Sequence, residues 1–327
     1  MSRVLVVGAG MAGLVAATEL ASSGHDVTVV DKGRGVGGRT ATRRFAGAVF
    51  DHGAQFFTTK SAEGAALADD WSARGAATTW HTCLLEPDGV VRHDGHVRRR
   101  GVPSMTGMAK LLAGELADVR TSVRLTSVGH DGETWSAQVE GGQGLDADAL
   151  VMTAPVPQTL DLLDGVELES GVAADLANLT YERCIAVLVV TDGPTAMPDP
   201  GAVRPSAGPI EWIADNYRKG VSPVPAVTIH LRPEVSVDWW DRADDEVVAD
   251  AVGAAGRWIG AGIGVVASQV QRWRYARPAE VHPRRTVTLV GSPVAVAAGD
   301  VFGGPLVEGA MRSGLAAAAR VRELLEG

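Results

Sequence analysis

The stretch RVLVVGAGMAGLVAATELASSGHDVTVVD, residues 3–31, decides the fold. Arg3 to Val7 is a short apolar, β-branched run ended by glycine, the pattern of a buried strand. Gly8-Ala9-Gly10-Met11-Ala12-Gly13 follows directly. Leu14 to Ser23 has helical character, and Gly24 supplies a stop signal. Val27 to Val30 reads as a second strand, closed by Asp31. Strand, glycine turn, helix, strand and acid together form a dinucleotide-binding unit. Gly8 permits the tight turn, and Gly10 lets backbone approach a pyrophosphate with no Cβ in the way. Gly13 lets the helix pack close on the strand. The helix start presents free N–H groups and a positive dipole end to phosphate. The Asp31 carboxylate is suited to an adenosine ribose.

Lys32-Gly33-Arg34-Gly35-Val36-Gly37-Gly38-Arg39-Thr40 comes next. So many glycines after a strand make an open loop whose N–H groups can face anions, and Arg34 and Arg39 add cations with several donors. A second phosphate-facing loop straight after the ribose acid is a pattern of FAD enzymes rather than of NAD dehydrogenases.

The R-x-x-G-G-R segment, Arg34 to Arg39, resembles the amine-oxidase superfamily of flavoproteins. Asp51-His52-Gly53-Ala54-Gln55-Phe56-Phe57-Thr58 resembles the renalase branch. So do Gly101 to Met105, Thr153 to Gln158, Arg272 to Pro278, and Ala298-Gly299-Asp300 with Val307-Glu308-Gly309-Ala310. These pieces keep their order from end to end. The resemblance implies non-covalent FAD and oxidation of isomers of reduced nicotinamide nucleotides, with electrons passed to O2 to give H2O2. Three positions depart from it: Ala298 and Val301 stand where relatives carry cysteine and tryptophan, and His52 stands where they carry an apolar residue.

The expected cofactor-binding residues are Gly8, Ala9, Gly10, Met11, Ala12, Gly13, Asp31, Lys32, Arg34, Gly38 and Arg39 at the pyrophosphate and adenosine end. Gly53, Ala54, Gln55 and Phe56 are expected at the ring, with Gly299, Asp300, Glu308, Gly309 and Ala310 from the last segment. Asp300 is expected to bond the ribityl chain, while the helix it starts turns its dipole to the flavin pyrimidine. Gln55 offers an amide for a ring edge. Val123, in a strand expected over Val119 to Leu125, would clamp the adenine by analogy of fold. His230, ending an apolar strand, is a candidate acid/base group, and Gln55 a second catalytic candidate. Trp273, Tyr275 and Asn216 are candidates for substrate binding. Tyr217, Arg218 and Lys219 beside Asn216 read as a solvated loop, Arg98-Arg99-Arg100 as a surface run, and Cys184 as an inert core thiol.

The 327 residues carry a formal charge of −9 and two cysteines. That leaves no basic footprint for nucleic acid, no disulfide framework and no metal spacing. No apolar run reaches the roughly 18 residues of a membrane helix, and no signal peptide precedes Arg3. A cytoplasmic enzyme is expected. Abundant Gly and Ala, with Arg far above Lys, suggest a high-GC bacterial gene.

The expected fold is α/β. A discontinuous Rossmann-type FAD domain takes residues 1–75, 101–155 and 275–327. A mixed-sheet α+β substrate domain takes 76–100 and 156–274, with helices over Leu160–Leu176, broken near Gly165, and Asp244–Ile259. A last helix is expected from Asp300 to about Leu325. The expected chemistry is hydride transfer from a small organic donor, a nicotinamide nucleotide by the resemblance, to flavin. An amine oxidase or desaturase is the second reading. A non-catalytic flavin-binding protein, which would have a closed or filled cavity, is the third.

Overall fold

The computed structural model describes residues 1–85 and 91–327; residues 86–90, part of the expected 76–100 stretch, lie outside the described residues. Six strands form the first sheet, in the order Val287–Val290, Val294–Ala297, Ala149–Met152, Arg3–Val7, Asp26–Asp31, Asp118–Thr121. All neighbours are parallel except the first pair. Arg3–Val7 sits inside this sheet, so both of its faces are covered. Val4 and Val6 join a core under the helices, while Leu5 and Val7 join the core on the other face. This is why the strand reads as a continuous apolar run rather than an alternating one.

The helix Met11–Ser22 leaves the first strand through the glycine turn and packs against the C-terminal helix Leu306–Glu326. Glycines set how close these elements come. A Cβ on Gly13 would overlap the carbonyl oxygen of Gly8, and a Cβ on Gly314 would overlap that of Ala12. The opposite face carries the small sheet Leu125–His130, Trp135–Val139, Leu145–Ala147 and two short helices.

A separate five-stranded sheet, with strands from Tyr181–Thr191, Ala202–Val203, Ile210–Asp215, Ala226–Leu231 and Val265–Pro278, forms a roof. Its neighbours pair antiparallel, and the amphipathic helix Asp244–Ile259 packs against it through Val247, Ala251, Ala255 and Ile259.

Several local expectations change. The last helix is two: Asp300–Gly303, then Leu306–Glu326, because Gly304 (φ 106°) and Pro305 interrupt it. The expected helix over Leu160–Leu176 is instead Val156–Leu162 and Val172–Ala177, separated by Gly165 and Gly171 in left-handed conformations. The strand holding Val119 ends at Thr121, since Ser122 takes a positive φ of 59°. Arg98 is no surface residue. It is 5% exposed, clasps Asp94 at 2.6 Å, and lies 5.8 Å from the Phe56 ring.

Backbone contact at Gly13 cannot yield as a flexible side chain could. Gly13→Ala is therefore expected to destabilise the apoprotein by about 3 kcal/mol in denaturant unfolding. At Gly10, whose Cβ direction meets nothing within 4 Å, alanine should cost no more than about 1 kcal/mol.

Candidate active site

The floor of the site is built where the first strand ends. Gly8, with φ of 113°, donates its N–H to Val30 O at 2.7 Å. Thr153 Oγ1 donates to Val7 O at 2.9 Å and packs where a Gly8 side chain would be. Gly10 then starts the helix in an extended conformation, with no side-chain cap and no acid in the first turn. The leading N–H groups of a helix need outside partners. Here they open into the cavity wall at Met11 and Ala12. The Asp31 carboxylate pins both glycine loops, accepting Ala9 N–H on one oxygen (2.7 Å) and Gly33 N–H on the other (2.6 Å). Gly37 N–H donates to Ala9 O at 2.7 Å, so the second loop lies directly on the first.

Next along the cavity, Arg39 makes a bidentate pair with Asp300, at 2.9 and 2.6 Å. The Arg39 carbonyl accepts Ala54 N–H at 2.8 Å and lies where a Gly53 side chain would be, which is why that turn needs glycine. Gly299 N–H is held by Ser313 Oγ at 2.9 Å. A Cβ on Gly309 would overlap the Gly304 backbone, so the two C-terminal helices meet at bare backbone. The Glu308 carboxylate accepts the N–H groups of Lys60 (2.8 Å) and Ser61 (2.7 Å).

Behind this wall lies a largely buried polar network. Asp51 Oδ2 is 2.7 Å from Lys219 Nζ, and both side chains are fully buried. Asp51 Oδ1 accepts Met105 N–H and Thr42 Oγ1, each at 3.0 Å. Asn216 accepts the Asp51 N–H at 3.2 Å and donates to Thr228 Oγ1 at 2.9 Å. Gln55 turns its amide inward: Nε2 donates to the carbonyls of Asp51 and Gly53, and Oε1 faces Lys219 Nζ at 3.5 Å.

The His52 carbonyl accepts Trp273 Nε1–H at 3.0 Å and bonds His230 Nε2 at 3.1 Å. A carbonyl needs a donor, so Nε2 carries the His230 proton and Nδ1 remains an acceptor. The His52 ring also stacks on Trp273, centroids 5.1 Å apart. Burial pushes His230 down to about 4, with the bond to His52 opposing and the Lys219 charge assisting. Burial likewise brings His52 to about 4, helped by Arg43 and His230, and His81 to about 4. These imidazoles are neutral at pH 7.

The cavity between floor and roof is about 1420 Å³. That exceeds the roughly 300–1,000 Å³ of a one-ligand pocket, leaving room for a dinucleotide and a second molecule. The roof contributes aromatic faces at Trp212, Trp273 and Tyr275. It also contributes five arginines, Arg183, Arg204, Arg272, Arg274 and Arg277, against two glutamates, Glu182 and Glu211. Arg277 pairs with Glu182, Arg204 with Glu211, and Arg272 with Asp244. Arg183 lies over the Trp240 ring at 4.6 Å.

Most of the expected site residues meet at this cavity. Gly8, Gly10, Met11, Ala12, Asp31, Lys32, Gly38, Arg39, Gly53, Ala54, Gln55, Phe56, Val123, His230, Trp273, Tyr275, Gly299, Asp300, Glu308, Gly309 and Ala310 all border it. Ala9 and Gly13 are buried beneath it. Arg34 is exposed and outside the wall.

Four readings of single residues need correction. Asn216 is fully buried behind the wall, its amide committed to Asp51 and Thr228, so it cannot reach a substrate from there. Lys219 is buried, not solvated. Gln55 has no donor left for a ring edge. Cys184 borders the cavity rather than a sealed core, though burial pushes its thiol up to about 12 and keeps it protonated. Sequence reading passed over Asp51 as a network residue and over the roof arginines. The signals were an acid closing a strand just before Gly53-Ala54-Gln55, and alternation of arginine with aromatic residues in RWRYAR (272–277). Among the described residues there is no cluster that could hold a metal and no helix long and apolar enough to cross a membrane.

An uncapped helix start over an open cavity, two interlocked glycine loops and space for two molecules fit a bound FAD. Gly10, Met11 and Ala12 would take its pyrophosphate, and Asp31, Lys32 and Val123 its adenosine. The fold and the cavity together are those of a flavin-binding protein. The model of the family "Flavin containing amine oxidoreductase" matches residues 105–322, and that of an NAD(P)-binding Rossmann-like domain matches 6–71. The chain belongs to the flavin-containing amine oxidoreductase family. It is 41% identical over 92 residues to hydroxyneurosporene desaturase of Rubrivivax gelatinosus. It is 53% identical over 53 residues to a protein named as a flavin-containing monoamine oxidase in Mycobacterium tuberculosis. Those stretches are 28% and 16% of this chain, and only 17% and 12% of the relatives' lengths. The fold matches cyclohexylamine oxidase from Brevibacterium oxydans over 100% of both chains, with a TM-score of 0.77 at 14% identity.

Gly10→Val should purify without flavin while unfolding close to the temperature of the wild-type apoprotein, because its branched side chain projects only into the cavity. Retention of a yellow colour would place the pyrophosphate elsewhere. The depressed histidines give a pH signature. Between pH 4 and 6.5 the unfolded state binds protons at His52, His81 and His230 that the folded state refuses, so stability rises with pH through that window. His230→Gln should lessen the rise in thermal midpoint measured across pH 4 to 7, leaving the part due to His52 and His81.

Proposed function

We propose that the protein is an oxidase of an anionic, nucleotide-like donor, in particular an isomer of a reduced nicotinamide nucleotide, with O2 as acceptor and H2O2 as product. The roof arginines carry this reading. Three of the five guanidinium groups are paired, with Glu182, Glu211 and Asp244, and Arg183 and Arg274 leave the donor side of the cavity electropositive, which attracts a phosphate-bearing molecule and repels an amine cation. Arg274 is the most available of them, being exposed at the cavity with no ion pair to a described residue.

A bound FAD, held without a covalent link, would supply two-electron acceptance from the donor, with O2 as the final acceptor. The chain's residues bind and orient. The floor fixes the dinucleotide, Trp273 and Tyr275 offer flat faces to a ring, and the roof arginines hold phosphate. Neutral His230 offers Nδ1 as an acceptor for a donor's N–H, a positioning or base role. No nucleophile is required for hydride transfer, which needs the donor carbon about 3–3.5 Å from its target and water kept out.

The second reading, an amine oxidase or desaturase, is supported by the family match, by the named relatives, and by the aromatic wall at Phe56, Trp212 and Trp273.

The test is anaerobic addition of a primary amine, fresh NADH, and aged NADH containing its isomers, followed by flavin absorbance. Bleaching by aged NADH alone, reversed by air with H2O2 release, is expected. Bleaching by the amine alone would move the protein to the second reading. Arg274→Ala should raise the KM for the nucleotide donor about tenfold with kcat little changed, the loss of one charge-assisted bond. An equal fall in kcat would assign Arg274 to the chemical step instead.

A further inference from the structure

Lys219 is one of four lysines in the chain, yet it is wholly buried. Burying an ammonium is costly, and a hydrophobic replacement of similar volume is often neutral or stabilising for a pair like Lys219–Asp51. Packing alone therefore gives no reason for the charge.

Its contacts give one. Lys219 stands one side chain behind the cavity wall. Its Nζ bonds Asp51 Oδ2 at 2.7 Å, faces Gln55 Oε1 at 3.5 Å, and lies 5.0 Å from the Trp80 ring centroid. A glutamine amide has one acceptor oxygen and two N–H donors, and it can be flipped. Beside an ammonium only one orientation is tolerable, with Oε1 toward the cation. That orientation sends Nε2 to the carbonyls of Asp51 and Gly53, closing the turn from Asp51 to Gln55 on itself. Thr228 Oγ1 adds a donor to the Asp51 carbonyl at 3.0 Å, and Asn216 accepts the Asp51 N–H. Lys219, Asn216 and Thr228 belong to the roof, whereas Asp51, Gly53 and Gln55 belong to the floor. Arg100, half-buried, feels the same Asp51 charge. The cluster therefore joins the two layers at the turn that borders the cavity.

We propose that Lys219 is a positioning residue for the flavin: its buried pair with Asp51 fixes the Gln55 amide inward, so that Gly53–Gln55 forms a rigid face without side-chain donors against which the flavin ring rests. The proposal relies on the ring lying at Gly53–Gln55. Lys219 itself touches neither flavin nor substrate.

A double-mutant cycle tests it. The first arm is Lys219→Met with Asp51→Asn, which removes both charges of the buried pair together. The second is Gln55→Ala. The third combines them. FAD affinity is read by flavin fluorescence, the visible band by absorbance, and the thermal midpoint on the apoprotein. The first arm should keep a cooperative thermal transition, weaken FAD binding about tenfold and shift the visible band. Adding Gln55→Ala to it should weaken binding by much less than Gln55→Ala does alone, since both act through one amide. A charge-free pair that binds FAD as wild type does, or effects that simply multiply, would overturn the role of Lys219. If Gln55→Ala moves the band while the first arm does not, the ring still lies at this turn and only the positioning claim fails. If Gln55→Ala moves neither affinity nor spectrum, the ring lies elsewhere and both claims fall. Should the first arm not fold, Lys219→Gln, which keeps a donor without charge, is measured in its place against the same outcomes.

Discussion

The uncapped start of the helix Met11–Ser22 is the constraint that the rest of the structure serves. A helix end facing a cavity with no side-chain cap leaves backbone donors that need a partner, and the surrounding contacts keep them bare and in place. The close approach of Gly13 to the Gly8 carbonyl sets where the helix begins. Asp31 holds the loops on either side, and Gly37 bonds across to Ala9. None of these contacts uses the first N–H groups of the helix, so an anion can. A pyrophosphate suits those N–H groups in charge and size.

The roof has a different task. It closes over a cavity too large for the dinucleotide alone, and its wall differs in character from the floor. The floor is glycine-rich backbone, whereas the roof is aromatic and arginine-rich. Roof and floor meet at a buried carboxylate, Asp51, whose side chain, N–H and carbonyl are all engaged by partners from both layers. The bidentate Arg39–Asp300 pair makes a second tie, joining the glycine-loop segment to the last strand-to-helix turn.

What the sequence made legible follows from the range of the forces involved. The glycine turn could be read at once because its requirements are local and steric: a positive φ at Gly8, no Cβ at Gly10, close contact at Gly13. Strands and the helix Asp244–Ile259 could be read from periodicity. The directions of polar side chains could not. Gln55 turns inward because of Lys219, 164 positions away, and Asn216 turns toward Asp51, 165 positions away. Next to Tyr217 and Arg218, Lys219 looked solvated, and only the tertiary fold brings Asp51 to it. The break at Gly304-Pro305 was written in the residues but was overridden by the helical pattern on either side.

The most direct measurement is a crystal structure of the protein prepared with FAD. The account predicts one FAD in this cavity, its pyrophosphate on the N–H groups at Met11 and Ala12, its ring against Gly53–Gln55, and open space between the ring and the roof arginines. Density for the ring filling the space beneath Arg183 and Arg274, or a pyrophosphate away from the helix start, would contradict it.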